Sequence, residues 1–374
     1  MAPRLRKMAS EVWRAALIPV LAVITALAVG AVIILLSGKN PILTYWGLFL
    51  GAFGSLDAIS ETFVWATPYI FAGLAVALAF RCGLFNIGVE GQIAIGALCS
   101  VFVGYAFTGL PWIIHLPLAL AAGILGGGVW GAIPGYLKAR TGAHEVINTI
   151  MMNYIALYLS NYLLSGPMKD HSPGNAISQT AKIALSARLP RLFPSFELFG
   201  QPIELRVHWG TVLAFIMAVV VFWFLWKTVT GFEIRTVGAN PNVAKYAGIN
   251  VSRSIVLAMS LSGALAGMAG TVEVVGLNYY HTPSFAVGYG FDSIAIALLG
   301  KSHPFGIIPA AILFGAMRNG ATAMQFQTGV SADVISIIQA LILIFVAADE
   351  IVRRLYRVKA PADEEKVVLT RGWG

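Results

Sequence analysis

The stretch RTVGANPNVAKYAGINVSRS, residues 235–254, is a polar island in a very apolar chain. It carries its own helix punctuation. Asn240 is a good N-cap, because its side-chain oxygen can accept an orphan N–H of the first turn. Pro241 follows at the first helical position, where a missing N–H costs nothing. Gly248 stands where a left-handed residue would end the helix. The spacing predicts a helix of about two turns, roughly 10 Å long at 1.5 Å per residue. Val243, Ala244 and Ala247 share one side, with Lys245 and Tyr246 alongside. So short a helix does not hold itself together in water. Either the membrane surface supports it, or it is a knob on which a partner docks.

Outward from the island lie two apolar runs, 209–227 and 255–275, each long enough to cross about 30 Å of hydrocarbon. Similar runs fall at 15–36, 62–80, 86–107, 113–137, 146–164, 290–300, 305–324 and 331–351, which makes ten. The run at 290–300 is too short to span alone and reads as part of a broken or re-entrant element beginning in the preceding GYGFDS turn. The first run exceeds a signal-peptide core and is followed by no clear small-x-small cleavage site, so it reads as a spanning helix.

Composition agrees. Of 374 residues, 58% are hydrophobic and 11% charged, with mean hydropathy +0.78. Soluble domains carry about 25% charged residues, so the expectation is an integral membrane protein. The net charge of +8 fits the excess of Lys and Arg in cytoplasmic loops better than a nucleic-acid partner. With the N-terminus inside, 18 of the 25 basic residues fall in cytoplasmic segments, and five of the six outside sit in the 165–207 loop. Both termini and the 235–254 island are then cytoplasmic. Cys82 and Cys99 offer neither a disulfide framework nor metal-ligand spacing.

Ten spans with one long external loop divide into two halves of five, inverted relative to each other. The expected organisation is a single transmembrane domain: a cytoplasmic N-terminus (1–14), a first half (15–164), an external loop (165–207) and a second half (208–352) with a cytoplasmic loop at 231–254. A solvated cytoplasmic tail (353–374) follows. GLFNIGVEGQIAIGAL (83–98) and GYGFDSIAIALLG (288–300) each place Gly and a polar cluster before an Ile-Ala-Ile run. Gly-interrupted segments at matching places in two halves point to a substrate path near their interface, with broken helices near 83–96 and 288–300. The 165–207 loop is a connector or a surface for an external partner.

No enzymatic motif stands out. Gly300-Lys301-Ser302 ends like a P-loop, but the first Gly of that motif would fall on Ala295 and no strand precedes it. The informative residues are polar groups within spans: Asn86, Glu90 and Gln92; Glu145, Asn148, Asn153 and Asn161; Glu273; Asn278, Tyr279, Tyr280 and His281; Asp292; Arg318 and Asn319. They either join helices, with Asp292 or Glu90 pairing with Arg318, or line a path. Amides and tyrosines along a path suit a neutral, hydroxylated, planar solute. Asn86, Glu90, Gln92, Asn148, Asn153, Tyr279, Asp292 and Asn319 are the candidates for that path. Small residues in GILGGGVWGAIPG (123–135) and SGALAGMAG (262–270) read as tight helix contacts or gating surfaces.

GLFNIGVEGQ (83–92), GANPNVAKYAGI (238–249) and GFDSIAIALLGKSHPFG (290–306) resemble the permease subunits of bacterial ABC importers. The similar branch serves ribose-type sugars and nucleosides and is more distantly related to branched-chain amino acid permeases. The resemblance spans about 60–350, and FNIGVEGQ is more similar to the nucleoside type than to the ribose type. It implies an inner-membrane importer in which an external binding protein, often a lipoprotein, delivers solute to a pathway formed by two permease chains. Two cytoplasmic ATPase subunits power alternating access; they use ATP and Mg, and this chain binds no cofactor. The resemblance also implies a second, different permease as partner. It makes Gly238, Asn240, Pro241, Ala244, Tyr246, Ala247 and Gly248 the element that docks in the ATPase. The rival readings are a ribose or galactose permease of the same family, an ion-coupled carrier working alone, or a structural membrane protein.

Overall fold

The computed structural model describes residues 2–172, 177–193, 196–198, 201–283 and 288–358. Helices dominate. In chain order they are α1 (Ala2–Leu36), α2 (Pro41–Phe53), α3 (Leu56–Arg81), α4 (Val89–Ala106), α5 (Trp112–Thr141) and α6 (Glu145–Ser165). After the loop come α7 (Trp209–Lys227), α8 (Val229–Ala239), α9 (Pro241–Tyr246), α10 (Val251–Glu273), α11 (Tyr289–Leu299), α12 (Pro304–Thr328), α13 (Asp333–Ala347) and α14 (Asp349–Leu355). Two three-residue strands, Phe196–Leu198 and Gln201–Ile203, pair antiparallel within the loop.

By length and apolar composition, seven of the described helices can cross a membrane, or eight if the bent pair α13 and α14 counts as one span. The sequence reading of ten counts three weaker runs, and each has a physical reason for falling short. The 146–164 run becomes α6, a 21-residue helix diluted by Glu145, Asn148, Asn153 and Asn161. The 290–300 run becomes the 11-residue α11. The 331–351 run breaks at Ala348, where the chain turns by 85°. An apolar helix the reading lacked is α2. Asn40 caps it through its side chain, accepting the N–H of Ile42 at 2.9 Å, and Pro41 opens it.

The core is α3, whose residues from Ala66 to Phe80 are all buried. The packing repeats between halves. α3 lies against α12 as α10 lies against α5, α3 meets α11 as α10 meets α4, and α4 meets α6 as α11 meets α13. The α5–α10 contact brings two backbones together. A Cβ added at Gly127 would overlap the carbonyl of Gly263, and one at Gly263 that of Gly127. The 123–135 and 262–270 stripes thus let two backbones touch, as glycine does between membrane helices.

The loop after α6 is strapped over one end of the bundle. Backbone bonds tie Thr180 to His281 (3.1 Å), Ile183 to Tyr279 (2.8 Å), Ala184 to Gly104 (2.9 Å) and Leu189 to Val275 (2.8 Å). The opposite end carries α8, α9 and the 300–303 turn. Residues 359–374, expected to be a solvated tail, lie outside the described residues.

Candidate functional site

Two helices begin inside the bundle instead of at its ends. α4 starts at Val89 after the turn 82–88, and α11 starts at Tyr289. Their first turns meet. Glu90 accepts the backbone N–H of Gly288 at 2.7 Å and of Gly290 at 2.6 Å. Those N–H groups are orphan donors at the start of α11, and a carboxylate at a helix N-terminus also meets the favourable end of the dipole. Gly290 allows the approach, because a Cβ there would overlap the Glu90 backbone.

The turn before α4 is held by a closed set of hydrogen bonds. Asn86 Nδ2 donates to Gln92 Oε1 (3.0 Å) and to Ser262 Oγ (2.9 Å), while its Oδ1 accepts from Gly88 N (3.0 Å) and Gln92 Nε2 (3.2 Å). Asn153 of α6 clamps the same turn. Its Oδ1 accepts from Gly91 N (2.8 Å) and its Nδ2 donates to the Ile87 carbonyl (2.9 Å). Asn86, Gln92 and Asn153 therefore shape the broken helix, and their polar groups are occupied by protein.

Beside this junction lies an aromatic cluster that sequence reasoning missed. Tyr69 and Tyr289 meet edge to face at 4.9 Å, Trp65 tilts against Tyr289 at 6.3 Å, and Phe314 backs Tyr69 at 6.2 Å. The Tyr69 hydroxyl donates to Asp292 Oδ2 at 2.7 Å. Trp65 and Asp292 are half-buried and Phe291 is exposed, so the cluster has an open edge. The expected pairing of Arg318 with Asp292 or Glu90 does not form. Among the described ion pairs Arg318 has no place, and its guanidinium lies instead beside Gly288. The signal for the cluster was legible in part: Trp65 and Tyr69 are four apart, one face of one helix.

The other expected path residues scatter. Asn319 Nδ2 donates to the carbonyls of Gly51 (3.1 Å) and Ala58 (2.9 Å) and to Thr62 Oγ1 (3.1 Å), which makes it a joint between α12, α2 and α3. Tyr279 follows a π-turn, Val274–Asn278, in a left-handed conformation (φ 64°), with the Arg188 guanidinium 4.3 Å over its ring. Asn148 lies on α6, and its buried Nδ2 has no hydrogen-bond partner among the described residues. Glu145, one turn before it, pairs with Lys138 at 2.9 Å.

At the opposite end, the punctuation of 235–254 is realised. Asn240 Oδ1 accepts from Asn242 N (3.0 Å) and Val243 N (3.3 Å), Pro241 opens α9, and Gly248 has φ +79°. The helix is six residues long, a turn and a half. Ala244 is fully buried against the chain itself, whereas Tyr246 is 94% exposed and Val243 and Ala247 are also open. The face that a partner could touch is therefore not the Val243–Ala244–Ala247 side as a unit. Gly238 comes against the Arg81 and Cys82 backbone, which fixes α8 to the end of α3.

Helices broken within the bundle, first turns meeting at a shared carboxylate, and a repeat of the packing between halves define a membrane transporter of the broken-helix type. The chain belongs to the family described as branched-chain amino acid transport system / permease component, which matches residues 58–347. It is 45% identical to a guanosine ABC transporter permease of Bacillus subtilis over 90% of this chain and 94% of that one. It is 36% identical to a glucose ABC transporter permease of Haloferax volcanii, covering 92% and 90%. With a nucleoside ABC transporter permease of Lactococcus lactis the identity is 35%, covering 91% and 92%. No solved structure matches.

Proposed function

We propose that this chain is the membrane-spanning permease subunit of an ATP-binding cassette importer for nucleosides or related nucleobase and ribosyl solutes. The observation that carries the substrate class is the Trp65–Tyr69–Tyr289 cluster with Asp292 at its edge. An aromatic face stacks on a planar base, and a carboxylate accepts ring or amino N–H groups. The similarity to the Bacillus and Lactococcus permeases supports the same reading. In this reading solute passes the junction of α4 and α11, and Glu90 holds the two first turns together until the halves move.

The power comes from elsewhere. In our reading a separate ATPase, using ATP and Mg, docks on α8 and α9, where Tyr246 stands free of the chain. A second permease subunit completes the pathway, and an external binding protein loads it on the side of the 165–207 loop. Both termini and α9 lie in the cytoplasm. The exposed face of α6, with Tyr154, Tyr158 and Tyr162 at four-residue spacing, is suited to the second permease.

A sugar permease is the second reading, favoured by the similarity to the Haloferax glucose permease. One experiment separates the two: uptake of radiolabelled guanosine and uridine in cells carrying the whole transporter, with and without this chain, competed by unlabelled ribose, galactose and glucose. Uptake that needs this chain and yields only to nucleosides or bases supports the proposal. Competition by a sugar alone overturns the substrate assignment. Uptake that persists after deletion of the ATPase overturns the importer reading.

A further inference from the structure

The aromatic cluster has a second end, away from Asp292. Glu61 stands on α3 one turn before Trp65, which is itself one turn before Tyr69. The three follow one another along the helix, with Glu61 toward the end that the 165–207 loop straps. Arg206, three residues before α7, reaches Glu61 across 145 positions of chain: its Nη1 donates to Glu61 Oε2 at 3.3 Å. Among the described residues that is the one hydrogen bond to this carboxylate, and Oε1 takes no part in it. The Glu61 side chain is 17% exposed, so its free oxygen is open to a small molecule. The neighbouring carboxylate, Glu273, is closed off by contrast. It is buried at the end of α10, and Asn278 Nδ2 donates to its Oε2 at 3.3 Å.

The stacking face thus carries a carboxylate at each end. Asp292 lies at the Tyr69 end, where the Tyr69 hydroxyl donates to it at 2.7 Å, and Glu61 lies one turn beyond Trp65 at the other. From Glu61 to Tyr69 the helix rises about 12 Å at 1.5 Å per residue. A nucleoside is a two-part solute of comparable length. Its base offers a flat face and N–H donors. Its sugar offers vicinal hydroxyls, and each of them can donate to a carboxylate oxygen. Hydrogen bonds to an ionised acceptor are the strong ones.

We propose that Glu61 is the residue of the path that recognises the ribosyl group. The base stacks against Trp65 and Tyr289 with its donors toward Asp292, and the sugar hydroxyls donate to Glu61 Oε1. Arg206 is a positioning residue: it holds Oε2 and leaves the other oxygen to the solute. This rests on the nucleoside reading above and goes beyond it, because it makes the intact nucleoside, and not the free base, the preferred solute. A site built to hold a hydroxyl discriminates strongly against an analogue that lacks it.

The test is uptake by cells carrying the whole transporter. Radiolabelled uridine and 2′,3′-dideoxyuridine, which lacks the diol, are supplied separately at one saturating concentration. The variants are Glu61→Gln and Arg206→Gln, with membrane abundance followed by immunoblot. Every strain has the same external binding protein, so a change in the ratio of the two rates belongs to this chain. Wild type should carry uridine faster than the dideoxy analogue. In Glu61→Gln that ratio should fall about five-fold, because a neutral acceptor replaces a charged one. Arg206→Gln keeps the carboxylate and should retain most of the preference. An unchanged ratio in Glu61→Gln overturns the proposal, including the case in which lower abundance reduces both rates in proportion. An equal fall in Glu61→Gln and Arg206→Gln also overturns it, and makes the ion pair a clasp for the loop. Failure of the nucleoside reading shows separately, in wild-type cells that take up uridine no better with this chain than without it.

Discussion

Glu90, on the first turn of α4, binds the backbone of Gly290, on the first turn of α11, through a 2.6 Å hydrogen bond, and takes the Gly288 N–H as well. The two residues lie 200 positions apart, in matching segments of the two halves. A half-buried carboxylate held by two N–H donors is a charge-assisted contact, of which each bond is worth about 1.5–3 kcal/mol. Removal leaves both N–H groups at the start of α11 without their carboxylate acceptor. Glu90→Gln keeps the size but can offer only one oxygen. It should lower uptake several-fold at normal membrane abundance, and Glu90→Ala should lower it further. Wild-type uptake in Glu90→Ala would remove the junction from the mechanism.

The Tyr69 hydroxyl fixes Asp292 without contributing to the aromatic face. Tyr69→Phe therefore keeps the ring against Tyr289 and frees the carboxylate. The expected outcome is a KM raised about three- to ten-fold with protein abundance unchanged, because a single hydrogen bond to a charged group is lost. Tyr289→Leu should be more damaging, since it removes the ring on which a base would stack. Kinetics that discriminate between purine and pyrimidine nucleosides would be the most sensitive measure. Equal KM values in wild type and Tyr69→Phe would mean that solute does not meet Asp292.

α9 offers a clean separation of folding from docking. The sequence reading placed Ala244 on the docking face, which made Ala244→Arg the natural test. In the structure Ala244 is fully buried, so an arginine there would displace the helix itself. Tyr246 is the informative position, at 94% exposed. Tyr246→Ala should leave the amount of permease in the membrane unchanged and reduce ATPase co-purification and uptake together. Gly248, at φ +79°, should tolerate Asn better than Val, because asparagine adopts the left-handed region at lower cost. Full ATPase co-purification with Tyr246→Ala would move the docking surface off α9.

Local punctuation was readable because it depends on neighbours in sequence. Asn240, Pro241 and Gly248 each do what their chemistry permits, and the α7 bounds fall where the apolar run begins and ends. The glycine stripes of α5 and α10 were likewise legible, because small residues at four-residue spacing have few other uses in a spanning helix. The polar residues were not. Asn86, Gln92 and Asn153 look alike in sequence to residues lining a path, yet their partners are the backbone of a broken helix and one another. Trp65 and Tyr289 come from different halves, so no periodicity could bring them together. Arg318 shows the same limit: charge alone suggested a pair with Asp292, but Tyr69 already holds that carboxylate.

His208 supplies the prediction that depends on pH. It lies just before α7, and its Nδ1 accepts the N–H of Gly210 at 3.1 Å, which requires an unprotonated nitrogen. Burial, reinforced by the nearby Arg206 charge, lowers its pKa from 6.5 to about 4. In the unfolded chain the same imidazole titrates near 6.5. The unfolded state therefore binds a proton that the folded state refuses between those two values, and stability rises with pH across that window. The contribution is fully present above about pH 6.5 and is lost as pH falls toward 4, a loss on the order of a few kcal/mol. His208→Asn preserves an acceptor at the helix start and cannot be protonated. The purified wild-type transporter should lose thermal stability between pH 6.5 and 4.5 more steeply than His208→Asn, even if the variant is less stable at pH 7.5. Parallel pH profiles for the two proteins would place the acid sensitivity elsewhere in the molecule.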